Sequence, residues 1–364
     1  MKIAFISDCH FGHNWGTELE NDSFNQAKDA FEKTLQRNVD LIVLAGDIFD
    51  SRVPKQEVFA KALDCFSSIR GIPIIAIHGT HERRSAGLIN PVHLLERIGL
   101  LKHLHKDKII FEKNSEKVAI FGMSGVPEQY ATQVLKEWDP KPEPGIKNIF
   151  VFHQSIKEAG LGEEGTLSYE DLPKGFDLYV DGHIHSFKKI GKLVITGSTL
   201  ITQLKKEESK KGFVIWDSNT DELEFVEIRQ RPFFYIEIEL KGEKPEEFIE
   251  RSREELSKLD FNEKPLVKIK LKGELKAGRI NEEEIKKGFN AFIFVDNEVE
   301  SKDFTTKLDY LREKQKGKSV DEIGLSLLKK ILEKEKYEGP EVSSIIDSLA
   351  DGNIDEIFNK IVES

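Results

Sequence analysis

The sequence predicts an α/β fold, and two observations carry that expectation. Short β-branched runs alternate with helical patterns over the first 230 residues, and all ten histidines lie at or before position 185, inside that alternating region. The runs come in order: IAFIS at 3–7, LIVLAG at 41–46, PIIAIH at 73–78, VAIFG at 118–122, NIFVFH at 148–153 and DLYVDG at 177–182. Helical patterns over 22–37, 56–69 and 90–98 have the lengths of crossovers, which implies a largely buried sheet. LVITGS and GFVIW suggest hairpin-like strands closing the region at about 230.

The texture then changes. FFYIEIEL alternates, KPEEFIERSREELSKL is an amphipathic helix, and PLVKIKLKGEL alternates again. A helix near 281–287 and AFIFVD complete a small α+β module, assigned here to 231–311. The stretch 312–319 is polar and basic without periodicity and is expected to be a linker. Residues 320–364 are expected to form two amphipathic helices broken at Gly339-Pro340, with an apolar stripe that includes Ile323, Leu325, Leu327, Leu328, Ile331 and Leu332.

At 364 residues there is room for a full-size domain plus smaller ones, since domains cluster near ~100–200 residues. With 38% hydrophobic and 33% charged residues the composition is that of a globular chain. No apolar run approaches the ~20 residues of a membrane span. The start MKIAFISDCH reaches a charge too early for a signal peptide, and two cysteines make no disulfide framework, so a cytoplasmic location is expected. Lys and Arg number 54 against 65 Asp and Glu, a net of −11. Residues 1–230 hold 29 and 34 of these, the remainder 25 and 31, so the acidity marks no tail. That balance argues at first against nucleic acid.

The chemistry-bearing residues share one position. Asp8 and His10 follow the first strand, Asp47 the second and His81 the third; His153 ends NIFVFH, and His183 and His185 follow DLYVDG. All stand at carboxyl ends of strands, where open α/β sheets place their ligand crevice. Each segment alone is ordinary turn chemistry or a packed histidine; five in order are not. Their nitrogen and oxygen donors suit divalent transition metals. The other histidines receive plainer assignments. His93, His103 and His105 are expected to be solvated, His78 to pack, and His13 to be either structural or a substrate contact.

The order D-x-H, GD, G-x-H-E, H and G-H-x-H, read at Asp8, Asp47, Gly79–Glu82, His153 and Gly182–His185, resembles the signature of calcineurin-like metallophosphoesterases. GDIFD, FHQS, DGHIH and the GST turn at Gly197–Thr199 resemble, more narrowly, the archaeal Mre-eleven or SbcD-like DNA double-strand-break repair nucleases. The resemblance implies a sandwich of two central sheets flanked by helices, a DNA-capping domain after 231 and a tail that binds an ATPase. It implies two Mn²⁺ ions ~3.5–4 Å apart, bridged by Asp47. Asp8, His10 and His185 complete the first site, and His153 and His183 serve the second. His81 is then the acid that protonates the leaving oxygen or orients the phosphate. It also implies a homodimer, for which helices 56–69 and 90–98 are candidates, and an SbcC-like coiled-coil ATPase held by Leu327, Leu328, Ile331 and Leu332.

Two positions depart from the family. Thr80 stands where the family has an Asn ligand, so a second ion is expected to be looser, held through water, or missing. Asp50 stands where many members carry a phosphate-contacting His, and its carboxylate would repel phosphate unless paired, with Arg52 as the candidate. Candidate DNA contacts are Arg83, Arg84, Arg52 and His13, with basic runs at Lys188, Lys189 and Lys192 and at Lys205, Lys206, Lys210 and Lys211. Three functions fit: a Mn²⁺-dependent DNA exonuclease and single-strand endonuclease, a generic phosphodiesterase or phosphatase, and a DNA-end scaffold with catalysis weakened at Thr80.

Overall fold

The computed structural model describes residues 1–301 apart from 86, 160–166, 243 and 276–277. The expected linker over 312–319 and helix pair over 320–364 lie outside the described residues. Two compact units divide the described residues: Met1–Ile236 with Leu259–Ile269 and Gly288–Val295, and Glu237–Lys258 with Lys270–Lys287 and 296–301.

In the first unit the elements run β1 (Lys2–Ile6), α1 (Asp22–Gln36), β2 (Leu41–Ala45), α2 (Gln56–Ser67), β3 (Ile74–Ile77), α3 (Pro91–Arg97) and β4 (Lys102–His103). They continue with β5 (Asp107–Lys113), β6 (Glu116–Met123), α4 (Ala131–Trp138), β7 (Lys147–Phe152), β8 (Leu178–Asp181), β9 (Lys188–Ile190), β10 (Leu193–Ile195), β11 (Gly212–Asp217) and β12 (Glu222–Glu227). One six-stranded sheet has the order β12-β11-β1-β2-β3-β4 and the other β5-β6-β7-β8-β10-β9. Strands β1 to β4 pair in parallel, as do β6, β7, β8 and β10, while β11, β12, β5 and β9 add antiparallel edges.

The two-residue period of a strand explains the layers. Ile3, Phe5, Leu41, Val43, Ile75 and Ile77 of one sheet meet Val118, Ile120, Ile149, Val151 and Val180 of the other in one buried cluster. The alternate residues Ala4, Ile6, Ile42 and Leu44 pack with Phe24, Phe31, Val58, Phe66 and Leu95 from α1, α2 and α3. Phe121, Phe150 and Tyr179 line the outer face of the second sheet with Ala131 and Leu135 of α4. Both faces of the central strands are therefore buried, which is why they read as continuous apolar runs.

The runs LVITGS and GFVIW do not pair with one another. The first becomes β10 and joins the second sheet beside β8, with β9 as its hairpin partner. The second becomes β11 and pairs with β1 in the other sheet, with β12 as its hairpin partner. Each run finds a parallel or antiparallel neighbour in a different layer, a choice that local pattern does not specify.

Further on come β13 (Phe233–Lys241), α5 (Pro245–Ser257), β14 (Leu266–Leu275), α6 (Glu282–Lys286) and β15 (Phe292–Ser301), with the three strands in the order β13-β14-β15. Pro245 opens α5 at a position where a missing N–H costs nothing. In the second unit Phe248, Ile249 and Leu256 of α5 are buried, and Arg253 donates to the carbonyls of Glu284 and Lys287 beside α6 at 2.8 and 2.6 Å.

Candidate metal centre

The parallel strands of both sheets deliver their carboxyl ends to one rim. After β1 and β2 the chain forms two loops zipped together by the backbone: Asp8 N–H donates to Gly46 O at 3.0 Å, His10 N–H to Asp47 O at 3.0 Å and Phe11 N–H to Ile48 O at 2.8 Å. Asp8, His10, Asp47 and His183 all have positive φ, between 46° and 61°. Left-handed backbone costs most residues of order 1–3 kcal/mol and tends to persist where function holds it. Gly182 lets the second sheet close on the first, since a Cβ there would lie 2.1 Å from Ala45 O and 2.7 Å from His153 Nδ1.

Three ligand groups result: Asp8 with His10 and His185, His10 with Asp47 and His81, and Asp47 with His153 and His183, the donor atoms in each lying within 4.8 Å of one another. His185 Nε2 is 3.4 Å from Asp8 Oδ1 and 3.4 Å from His10 Nε2. His153 Nε2 is 3.2 Å from Asp47 Oδ2. The structure thus brings together all six sequence-derived ligand candidates and His81.

Hydrogen bonds on the far sides of the rings fix how they present themselves. His153 Nδ1 bonds Ala45 O at 2.8 Å, which leaves Nε2 bare and aimed at Asp47. His185 Nδ1 meets Thr202 Oγ1 at 2.5 Å, with Glu208 Oε1 at 3.9 Å behind it. His183 Nε2 is 3.0 Å from Ser155 Oγ, itself bonded to Glu128. His81 Nδ1 bonds Asp50 O at 3.0 Å, and its ring, nearly half exposed, stands 4.8 Å from that of His10.

The charges of this cluster call for a cation. Asp8 is completely buried, yet its carboxyl is held well below the usual range: burial raises it, and the imidazoles of His10 and His185 that face it outweigh that. Asp47 moves the same way, burial again opposing and the charge of His153 prevailing. The imidazoles answer in the opposite sense. Burial disfavours their charge, but Asp50 and Asp8 raise His10 to about 10, and Asp47 raises His153 to about 10. Asp8 Oδ1 and His153 Nε2 are buried without a hydrogen-bond partner. Orphaned donors of this kind, with adjacent carboxylates, fit a divalent ion, which would replace the protons now balancing the charge.

Two assignments, the pairing of Asp50 and the phosphate contact of Lys211, are corrected by this geometry. Asp50 is not paired with Arg52. Its Oδ1 lies 3.0 Å from His10 Nδ1, 3.3 Å from His13 Nδ1 and 3.6 Å from His81 Nδ1, so it serves the histidines rather than opposing phosphate. Arg52 lines an apolar groove with Val53, Phe59 and Leu94, and Arg84 lines the same groove with a hydrogen bond to Ile89 O. Arg83 is half-buried beside His81. Lys211 cannot reach a phosphate: it is buried, and Nζ donates to Glu208 at 2.9 Å, Ser198 Oγ at 2.8 Å and His185 O at 3.0 Å. Thr80 lies in the centre, its hydroxyl 3.2 Å from Asp47 Oδ2.

Glu82 was not among the sequence candidates. It is fully buried and ties the two loops together, accepting from Phe49 N at 2.8 Å and Gly79 N at 2.7 Å. Burial first, and the charge of Asp47 second, raise it to about 8. Its only sequence signal is its place directly after His81.

A family model described as calcineurin-like phosphoesterase matches residues 1–187. The DNA double-strand break repair protein Mre11 of Saccharolobus solfataricus is 26% identical, with 100% of this chain and 98% of the relative covered. The protein of the same description from Sulfolobus acidocaldarius is 29% identical over 75% of each chain. That from Methanopyrus kandleri is 25% identical over 69% of this chain, which spans little more than half, 57%, of the relative's length. With the family model covering just over half of it, and with its full length similar to a protein of this kind, the chain belongs to the calcineurin-like phosphoesterase family and resembles the Mre11 proteins within it.

Proposed function

We propose that the protein is a Mn²⁺-dependent DNA nuclease that hydrolyses phosphodiesters at DNA ends and in single strands during double-strand-break repair. The observation that carries the proposal is the position of Asp47, which belongs to two of the three ligand groups and so can bridge a pair of ions. Asp8, His10 and His185 would hold one ion, and His153 and His183 the other, with Thr80 at its edge. When bound, the ions supply Lewis acidity for making a nucleophile from water and for stabilising charge on the phosphate. The protein's own part is orientation and proton transfer. Asp50 and Ala45 O set the rings of His10 and His153, and the bond from His81 Nδ1 to Asp50 O leaves Nε2 to face substrate and protonate the leaving oxygen. The similarity to Mre11 proteins favours DNA over small phosphodiesters, and Arg83 and Arg84 are the proposed phosphate contacts beside His81.

Mn²⁺ should switch on degradation of DNA that EDTA stops. His81→Ala should abolish it while bound metal remains. Robust turnover of small phosphodiesters without DNA cleavage would replace this reading with that of a generic phosphodiesterase.

The partners form part of the same proposal. Val53, Leu88, Ile89, Leu94 and Ile98 are exposed on and around α2 and α3, which supports a homodimer through this face. The apolar positions Leu327, Leu328, Ile331 and Leu332 would bind an SbcC-like ATPase. Deleting residues 320–364 should abolish capture of such an ATPase and leave nuclease activity intact; unchanged capture removes the tail from the proposal. Among the described residues no helix is long and apolar enough to cross a membrane.

A further inference from the structure

Two oppositely charged side chains lie together inside the protein, on the side of His185 that faces away from Asp8 and His10. Glu208 ends the 3₁₀ turn Lys206–Glu208, Lys211 stands just before β11, and their side chains are 3% and 0% exposed. Their hydrogen bonds form one continuous series that ends on His185. Lys211 Nζ donates to Glu208 Oε2 at 2.9 Å, to Ser198 Oγ at 2.8 Å and to the carbonyl of His185 at 3.0 Å. Glu208 Oε2 also accepts from the backbone N–H of Thr202 at 3.0 Å, and Thr202 Oγ1 meets His185 Nδ1 at 2.5 Å. The His185 carbonyl takes a further bond from the Ser198 N–H at 3.2 Å. One buried pair therefore grips both the ring and the backbone of this residue.

Such a pair does little for stability. Taking an ammonium and a carboxylate out of water carries a cost that their attraction barely repays, and apolar residues of the same volume serve an interior about as well. What charge-assisted, directed bonds add is geometry. The group held in this way faces the metal centre. His185 Nε2 lies 3.4 Å from Asp8 Oδ1 and 3.4 Å from His10 Nε2, so Nε2 is the nitrogen that can meet an ion and Nδ1 the one that is tied back. His153 relies on a single backbone carbonyl, Ala45 O, for the same purpose. His185 instead depends on side chains that stand 17 to 26 positions further along the sequence.

We propose that Thr202, Glu208 and Lys211 are positioning residues of the metal centre: the buried pair holds Thr202 and the His185 backbone so that His185 presents Nε2 to an ion shared with Asp8 and His10. The inference rests on the metal-centre part of the function proposed above. Each residue has its own share. Thr202 Oγ1 accepts the proton that a ring ligating through Nε2 carries on Nδ1. Glu208 fixes Thr202 through its backbone N–H, and its Oε1, 3.9 Å from Nδ1, favours a proton on that nitrogen. Lys211 balances the charge of Glu208 and holds the carbonyl from which the ring is hung. None of the three lies in the stretch 1–187 that the family model matches.

The test measures Mn²⁺ binding, read from the electron paramagnetic resonance of free Mn²⁺, in the full-length, metal-stripped protein and its variants. Thr202→Val removes the hydroxyl with little change of shape, and Thr202→Ser keeps it. The Mn²⁺ dissociation constant should rise at least about tenfold in Thr202→Val and stay within about twofold of the parent in Thr202→Ser, as expected for a group that holds a metal-bound histidine. Glu208→Gln combined with Lys211→Met removes the ion pair without leaving a lone buried charge. Metal-free, this double variant should melt close to the parent and yet lose Mn²⁺ affinity by the same factor. Parental affinity in a double variant that melts like the parent makes the pair merely structural and overturns the proposal. So does parental affinity in Thr202→Val, which leaves the ion pair in place and decides the matter if the double variant does not fold. A parent that binds no Mn²⁺ overturns this inference together with the centre it rests on. Weakened binding in Thr202→Val of a protein that leaves DNA intact upholds the inference and removes only the nuclease reading.

Discussion

Two clusters of buried histidine share the end of β3 and behave in opposite ways. Around Asp8, Asp47 and Asp50, His10 and His153 are raised to about 10. In the other, a quartet made of His78, His93, His103 and His105, His78 is pushed down to about 2 and His103 to about 4, by burial first and by the neighbouring imidazoles second. Burial disfavours the charged ring in both places, so burial does not decide the outcome. The carboxylates do, and their distances of 3–4 Å from the rings are short enough to overcome desolvation. The first cluster attracts cations by charge, whereas the second can offer only lone pairs.

The most drastic way to erase this difference is to remove the shared carboxylate. Asp47→Asn deletes the anion that touches His153 and accepts from His81 N–H at 2.8 Å. It should lower phosphodiester hydrolysis by at least ~10³-fold, since metal-centred charge stabilisation supplies several kcal/mol. It should also bring the His153 titration down from about 10 toward the behaviour of the quartet. Activity assays and histidine NMR titrations check the two halves separately. An unchanged His153 titration would mean that Asp47 is not what charges it.

Protons give a second, smaller contrast. Metal ligation requires neutral imidazole, so the protons on His10 and His153 must leave when ions bind at neutral pH. About two protons should be released on full loading of the centre, and Mn²⁺ affinity should climb as pH rises toward about 10. Calorimetry in buffers of different ionisation enthalpy measures this directly. The metal-free protein should show the matching linkage. Raised histidines contribute stability that is whole below their unfolded value of ~6.5 and lost as pH rises toward about 10. The depressed histidines of the quartet contribute in the reverse sense: their share is present above ~6.5 and lost as pH falls toward about 4. Loss of stability on the acid side only would contradict the charged state assigned to His10 and His153.

The two clusters also differ in how far sequence could reveal them. Every residue of the phosphoesterase centre follows the carboxyl end of a strand with a clear β-branched pattern, so a single rule about sheets gathers them. The quartet obeys no such rule. β4 is two residues long, Lys102–His103, and carries no strand pattern, and His93 sits on a helix whose docking side is set by tertiary packing. The same limit applied to Asp50 and Lys211. Both are charged residues in polar stretches, and only the approach of separate loops shows that one holds three histidines and the other is buried against Glu208. The α/β alternation and the buried sheet were legible as apolar runs, whereas the two-sheet sandwich followed only from the family resemblance, and the assignment of β10 and β11 to different sheets depends on long-range pairing.

Thr80 offers the finest adjustment. Its hydroxyl spends itself on Asp47 Oδ2 at 3.2 Å, on the side of the centre that His153 and His183 share. A threonine oxygen on a short side chain is a weaker neutral donor than an amide carbonyl, and an Asn at 80 would extend further into the same space. Thr80→Asn should therefore tighten the second ion and raise activity by up to about tenfold, the range typical of changes around a metal. The change should appear at low Mn²⁺ and fade as the metal concentration saturates both variants, because the substitution alters occupancy rather than proton transfer by His81. A rise that persists at saturating Mn²⁺ would instead place Thr80 in the chemical step. No change at any concentration would show that Asp47, His153 and His183 hold that ion without help from position 80.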